Sequence, residues 1–152
     1  LGIVVLSIAI AAAGVAYWNA TTSDTGSGGA GSSANAPDGA SLKPNNRGEV
    51  FLKAKSEDMA CAVTEQSVVC GGPFASSAHQ TGPSANQVKV NANGALQWAV
   101  GDMDSPSGIV TLTGQTYRAL GWTITVNPSG IRFSNDRTKR GMLASIANVT
   151  NF

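Results

Sequence analysis

Two cysteines with eight residues between them, in the alternating segment Met59-Ala-Cys-Ala-Val-Thr-Glu-Gln-Ser-Val-Val-Cys-Gly71, place the tightest constraint on this chain. Cys61 and Val63 recur at period two, as do Val68 and Cys70, and this is the mark of two strands with one buried face. Folding the segment back at Glu65-Gln66 sets Thr64 opposite Ser67, Val63 opposite Val68 and Cys61 opposite Cys70. Counted from the turn, the cysteines fall on a non-hydrogen-bonded pair, where Cα atoms approach to ~4.5 Å, within reach of a disulfide. Glu-Gln is a poor choice for a tight primed turn, so a four-residue loop with the same pairing is an equal expectation. The competing reading is a pair of buried free thiols. A redox pair is disfavoured because the spacing is not Cys-x-x-Cys.

Short β-like runs separated by turn residues continue from Val50 onward. A three-residue loop, Ala92-Asn93-Gly94, pairs Val90 with Leu96 and Val88 with Trp98, and keeps all four on one face. A two-residue turn at Asn93-Gly94 would split them between faces. Ile109–Leu112 and Thr116–Leu120 are further strands. Trp122, Ile124 and Val126 alternate inward, as do Ile131 and Phe133. A four-residue loop, Asn127–Gly130, sets Val126 opposite Ile131 and Ile124 opposite Phe133. Gly71–Asn86 is a polar loop, with Phe74 expected to plug it into the core. Met142–Phe152 is a last strand or a short helical turn. The fold class is therefore mainly β, a small antiparallel hairpin-rich sheet or barrel-like domain over 47–152.

Ahead of this domain, Leu1–Tyr17 reads LGIVVLSIAIAAAGVAY and carries no charge. At 1.5 Å per residue it sits at the lower limit for crossing a ~30 Å hydrocarbon core, and Trp18 follows as an interfacial aromatic would. A transmembrane anchor over 1–18 is the favoured reading. The alternatives are a signal peptide cleaved near Ala11–Ala13 or Gly14–Ala16, which would leave a secreted protein, and a buried helix. With no initiator Met and no basic n-region, a few positive residues are expected before Leu1. Residues 19–46 are rich in Gly, Ser, Ala, Thr and Asn, too polar to offset ordering entropy, and read as a flexible linker. Charged residues are only 12% of the chain and the net charge is +1. No global field steers it toward nucleic acid. An apolar leader followed by an even cysteine count points to an oxidising, extracytoplasmic compartment.

The stretches MACAVTEQSVVC (59–70), GQTYRALGWTITV (114–126), PSGIRFSNDRTKRGM (128–142) and Phe152 resemble a family of small exported, membrane-anchored actinobacterial (mycobacterial-type) domains of uncharacterised function. The resemblance runs from about Val50 onward and does not include the linker. It implies a cell-envelope location and a cysteine-hairpin β fold, and no activity. The family's second cysteine pair falls on Ile124 and Phe133, so an apolar cross-strand pair would replace a disulfide here.

No catalytic constellation is visible. His79, the only histidine, sits in the long loop near Ser76, Ser77 and Ser84, which match no nucleophile motif. Asp102 and Asp104 lack the further oxygens of a calcium loop and read as turn formers. Arg132, Arg137, Lys139 and Arg140 form the one basic cluster, with Asp136 among them. It is either a solvated turn or a patch for an anionic partner such as a lipid head group or cell-wall polymer. Trp98, Trp122 and Tyr117 stand at strand-alternating positions and read as core rather than ligand platform. The expectation is a non-catalytic binding or interaction domain of the cell envelope, meeting an envelope protein or anionic partner and needing no cofactor or metal. The alternative is an envelope enzyme with a dispersed active site.

Overall fold

A computed structural model describes residues 34–36, 38–55, 58–75, 85–102 and 106–152. The anchor segment 1–18, most of the linker, His79 with its neighbouring serines, and Asp104 lie outside these residues. Among the described residues no helix is long and apolar enough to cross a membrane.

The described chain is mainly β, in two sheets. The larger contains β1 (Ala34–Ala36), β2 (Val50–Ala54), β3 (Ala60–Val63), β4 (Ser67–Gly71), β5 (Gln87–Asn91), β6 (Leu96–Ala99) and β7 (Val110–Leu112), in the spatial order β1-β7-β2-β3-β4-β5-β6. The smaller contains β8 (Thr116–Ala119), β9 (Trp122–Asn127), β10 (Gly130–Asn135), β11 (Gly141–Ala144) and β12 (Val149–Asn151), in the order β12-β11-β10-β9-β8. Neighbours pair antiparallel except around β7, which lies parallel to both β1 and β2. Reaching that position requires a crossover from β6, at one edge, to the far side of the sheet. Of the crossover, Asp102, Pro106 and Ser107 line a cleft with Phe51, Ala62 and Val69 on the outer face of the large sheet.

Period-two patterning built these sheets in the expected register. Cys61 lies opposite Cys70 and Val63 opposite Val68, and the cysteines are joined, with Cα atoms 4.1 Å apart. Val88 faces Trp98 and Val90 faces Leu96. The loop between them is the three-residue type, closed by Asn91 N–H donating to Ala95 O at 2.9 Å, with Gly94 at φ 86°. Only glycine enters that left-handed position without strain. Val126 faces Ile131 and Ile124 faces Phe133. The pairing extends one step further than expected, to Asn127–Gly130, so the turn is Pro128-Ser129 alone. Gly130, at φ 126°, makes that tightening possible. The tail forms the β11–β12 hairpin, which resolves the strand-or-helix alternative.

The inward residues of both sheets share one core. Trp122, Tyr117, Phe133, Leu52, Met59, Leu112, Ile124 and Ile131 are its largest fully buried side chains. Phe74 does plug the 71–86 loop into it and meets Trp98 edge to face at 5.6 Å. Trp98 is only half-buried, because β6 is the edge strand. Val100, next in the same alternation, is 63% exposed.

The linker expectation extended to residue 46, but residues 38–46 are described and the first of them are docked on the β domain. Arg118 N–H donates to Ala40 O, Leu42 N–H to Arg118 O at 2.8 Å and Gly39 N–H to Thr116 O at 2.7 Å. Leu42 is buried in the core. Polar composition concealed this arm because most of its bonds come from backbone groups, which every sequence carries. With β1 on the large sheet and Ala40–Leu42 on β8, the arm covers an edge of each sheet and links them. Covering an edge also blocks pairing with foreign strands.

The cross-strand pair Ile124–Phe133 gives the sharpest stability test. Both residues are fully buried, so Phe133→Ala should lower unfolding free energy by about 3–5 kcal/mol in urea titrations. A loss below ~1 kcal/mol would place Phe133 outside a close-packed core.

Candidate functional site

A cleft of about 920 Å³ lies at one end of the two sheets. Four turns build it. The β3–β4 turn contributes Glu65 and Gln66, and the β5–β6 turn contributes Asn91, Ala92 and Asn93. The β8–β9 turn adds Leu120 and Gly121, and Asn135–Thr138 comes from the β10–β11 turn. Three smaller clefts have volumes of about 420–560 Å³.

Each turn is shaped by its own residues. In the first, Thr64 N–H donates to Ser67 O at 2.9 Å. The Ser67 N–H donates instead to Thr64 Oγ1, at 3.1 Å, while the Thr64 carbonyl accepts the indole N–H of Trp122 at 2.9 Å. The hairpin therefore opens into a four-residue loop, and this is how Glu65-Gln66 avoids a primed turn. In the third turn Leu120 and Gly121 have φ 50° and 79°, the pattern of a type I′ turn. Leucine is costly in that region. Its side chain is packed partly against the core and stands in the cleft wall. In the fourth, Asn135 Oδ1 accepts from Arg137 N–H at 3.2 Å and Thr138 N–H at 3.1 Å.

Polar bonds then tie the turns to one another. Ala92 N–H donates to Gln66 O at 2.8 Å, Thr138 Oγ1–H to Ala92 O, and Asp136 N–H to Gly121 O at 2.8 Å. Asp136 also lines the cleft, and its carboxylate is engaged on both oxygens. It accepts Thr123 Oγ1–H at 2.6 Å and lies 3.7 Å from the Arg118 guanidinium. That ion pair is exposed and contributes little.

The residues of the expected basic patch have different immediate surroundings. Arg137 lines the cleft. Arg132 stands on the outer face of β10, its guanidinium 3.6 Å above the Phe152 ring. Arg140 lies along Gly94, close enough that a side chain there would touch it. Lys139, at φ 61°, closes the β10–β11 turn. Asp102 is exposed, and among the described residues no three His, Cys, Asp or Glu side chains gather as a metal site. Tyr117 and Trp122 are core, as their alternation implied. The residues that sequence reasoning missed are Gln66, Asn91, Leu120 and Asn135. Their only local signals were the Leu-Gly turn and the Asn-Asp-Arg-Thr turn.

Among the described residues one carboxylate has a displaced pKa. Asp38 accepts the backbone N–H of Thr116 at 2.5 Å and of Gln115 at 2.9 Å. These bonds hold it below the usual aspartate range, and the small desolvation effect opposes them. It lies at the Thr116 end of β8, opposite the cleft, and serves to dock the arm.

No family model, curated protein or solved structure matches this chain.

The Asp38 contact predicts a pH effect with a definite sign. A carboxylate whose folded pKa is depressed stabilises docking fully above the unfolded aspartate pKa, and the effect is lost as pH falls through the folded value. The Gln115 and Thr116 amide resonances should titrate together, with a midpoint below that of aspartate in an unfolded peptide. A midpoint at or above the peptide value would contradict the contact, and Asp38→Asn should abolish the titration.

Proposed function

We propose that this chain is a non-catalytic binding domain of the cell envelope, held at the outer face of the membrane by Leu1–Trp18, with the four-turn cleft as its ligand site. The cleft carries the binding half of the reading. Its walls come from turns far apart in sequence, tied together by polar bonds, and its lining is dominated by amide side chains rather than by a nucleophile and base. Location rests on the uncharged apolar run and on the bonded cysteines, since disulfides persist in oxidising compartments. The resemblance to small exported envelope domains agrees with it. A tether of ~15–20 residues between anchor and arm spans about 20–27 Å, enough to keep the cleft near the membrane without fixing its orientation.

Protease added to spheroplasts tests the location, and a photocrosslinker at Gln66 in the same cells tests the cleft. The expected result is removal of the domain by external protease and an adduct to an envelope component that Gln66 probes and an equivalent probe at Val100 misses. Full protection from protease would contradict the location. Identical adducts from both positions would contradict the cleft as the binding site.

A further inference from the structure

Within the cleft one buried polar group is left over. Asn135 is 6% exposed and lines the cleft wall. Its Oδ1 accepts Arg137 N–H and Thr138 N–H. Two backbone donors fix the amide's orientation, because rotating it would set N–H groups against N–H groups. The Nδ2 group therefore points the other way, and among the described residues nothing accepts from it. A buried amide donor without a partner is costly, and such groups in native proteins call for an explanation.

We infer that Asn135 Nδ2 is the recognition donor of the cleft and that its ligand is a neutral, hydroxyl-rich oligosaccharide; the inference rests on the cleft being a binding site. The chemistry of the lining selects that class. Gln66, Asn91 and Asn93 each offer an amide donor and an amide acceptor. Arg137 adds donors and Glu65 adds acceptors, and the second lining carboxylate, Asp136, is paired with Arg118, so the charges offset each other. Three backbone carbonyls on the wall are already engaged: Gln66 O by Ala92, Ala92 O by Thr138 and Gly121 O by Asp136. Recognition thus falls to side chains that both give and accept. A hydroxyl does both, whereas a phosphate or carboxylate only accepts and would meet Glu65. A peptide needs apolar pockets for its side chains, and Leu120 and Ala92 are the only apolar side chains in the wall. They suit the C–H face of a sugar ring.

The test uses the full chain in lipid nanodiscs, with asparagine side chains labelled with ¹⁵N. The probes are maltohexaose and chitotriose, inorganic phosphate, polyglutamate and a penta-alanine peptide. The expected result is saturable binding of a neutral oligosaccharide that shifts the Asn135 side-chain N–H resonances. Asn135→Asp keeps the acceptor for the turn and removes the donor. It should weaken that binding roughly tenfold, the scale of one lost hydrogen bond at a buried site. Should the variant misfold, the Asn135 resonances of the unaltered protein decide the matter alone. Saturation by phosphate, polyglutamate or the peptide, with the oligosaccharides inert, overturns the ligand class and leaves the binding domain standing. Oligosaccharide binding without movement of the Asn135 resonances overturns the role of Asn135. Inertness of the cleft to every probe overturns the inference, and the crosslinking at Gln66 then decides separately on the binding reading.

Discussion

The hydrogen bond from the Trp122 indole to the Thr64 carbonyl, 2.9 Å long, joins the two sheets where the candidate site is built. Trp122 is fully buried at the start of β9, so its N–H must find an acceptor inside the protein. Taking the Thr64 carbonyl removes that group from its own turn, and Thr64 Oγ1 replaces it as acceptor for Ser67 N–H. The tip at Glu65-Gln66 is thereby held open, and Gln66 O is placed to receive Ala92 N–H. Ala92 O in turn receives the Thr138 hydroxyl, and Thr138 N–H is held by Asn135 Oδ1. One buried indole thus begins a run of polar bonds that passes through three of the four turns. Such networks rigidify when every member is satisfied, and in this one the buried Asn135 Nδ2 has no acceptor among the described residues.

Two other devices keep the small domain closed. The Cys61–Cys70 bridge spans a sequence separation of 9, so its loop-closure contribution is modest, ~2.7 kcal/mol in the chain-entropy account. It fixes the hairpin whose tip carries Thr64. The arm acts on the opposite side. Asp38 caps the start of β8, Ala40–Leu42 runs along that strand, and β1 lies against β7. The two sheet edges that would stand exposed there are covered by this arm.

Much of the fold was legible in the sequence because a strand's period is two and a register slip turns every side chain to the wrong face. Cys61–Cys70, Val88–Trp98 and Ile124–Phe133 all follow from that rule. The parallel placement of β7 between β1 and β2 does not, because a three-residue strand carries no pairing signal. Nor does the arm, whose bonds are mainly backbone to backbone. The cleft was illegible for a further reason. Its walls stand at residues 65, 91, 120 and 135, and only the packing of the two sheets brings those turns to one end. The basic cluster was legible as a run in the sequence, but the surroundings of its members were not. Residues that alternate along a strand and then round a turn point in different directions, so Arg132 stacks on Phe152 while Arg137 faces the cleft.

Hydrogen exchange of the Trp122 indole N–H tests this account most directly, because the indole is the contact from which the site is built. If it is locked between the sheets, it exchanges only on global unfolding, with the same free energy as the slowest amides of β9 and β10. An indole proton that exchanges freely while those amides stay protected would show that the sheets are not joined at Thr64 and that the cleft is not a preformed site.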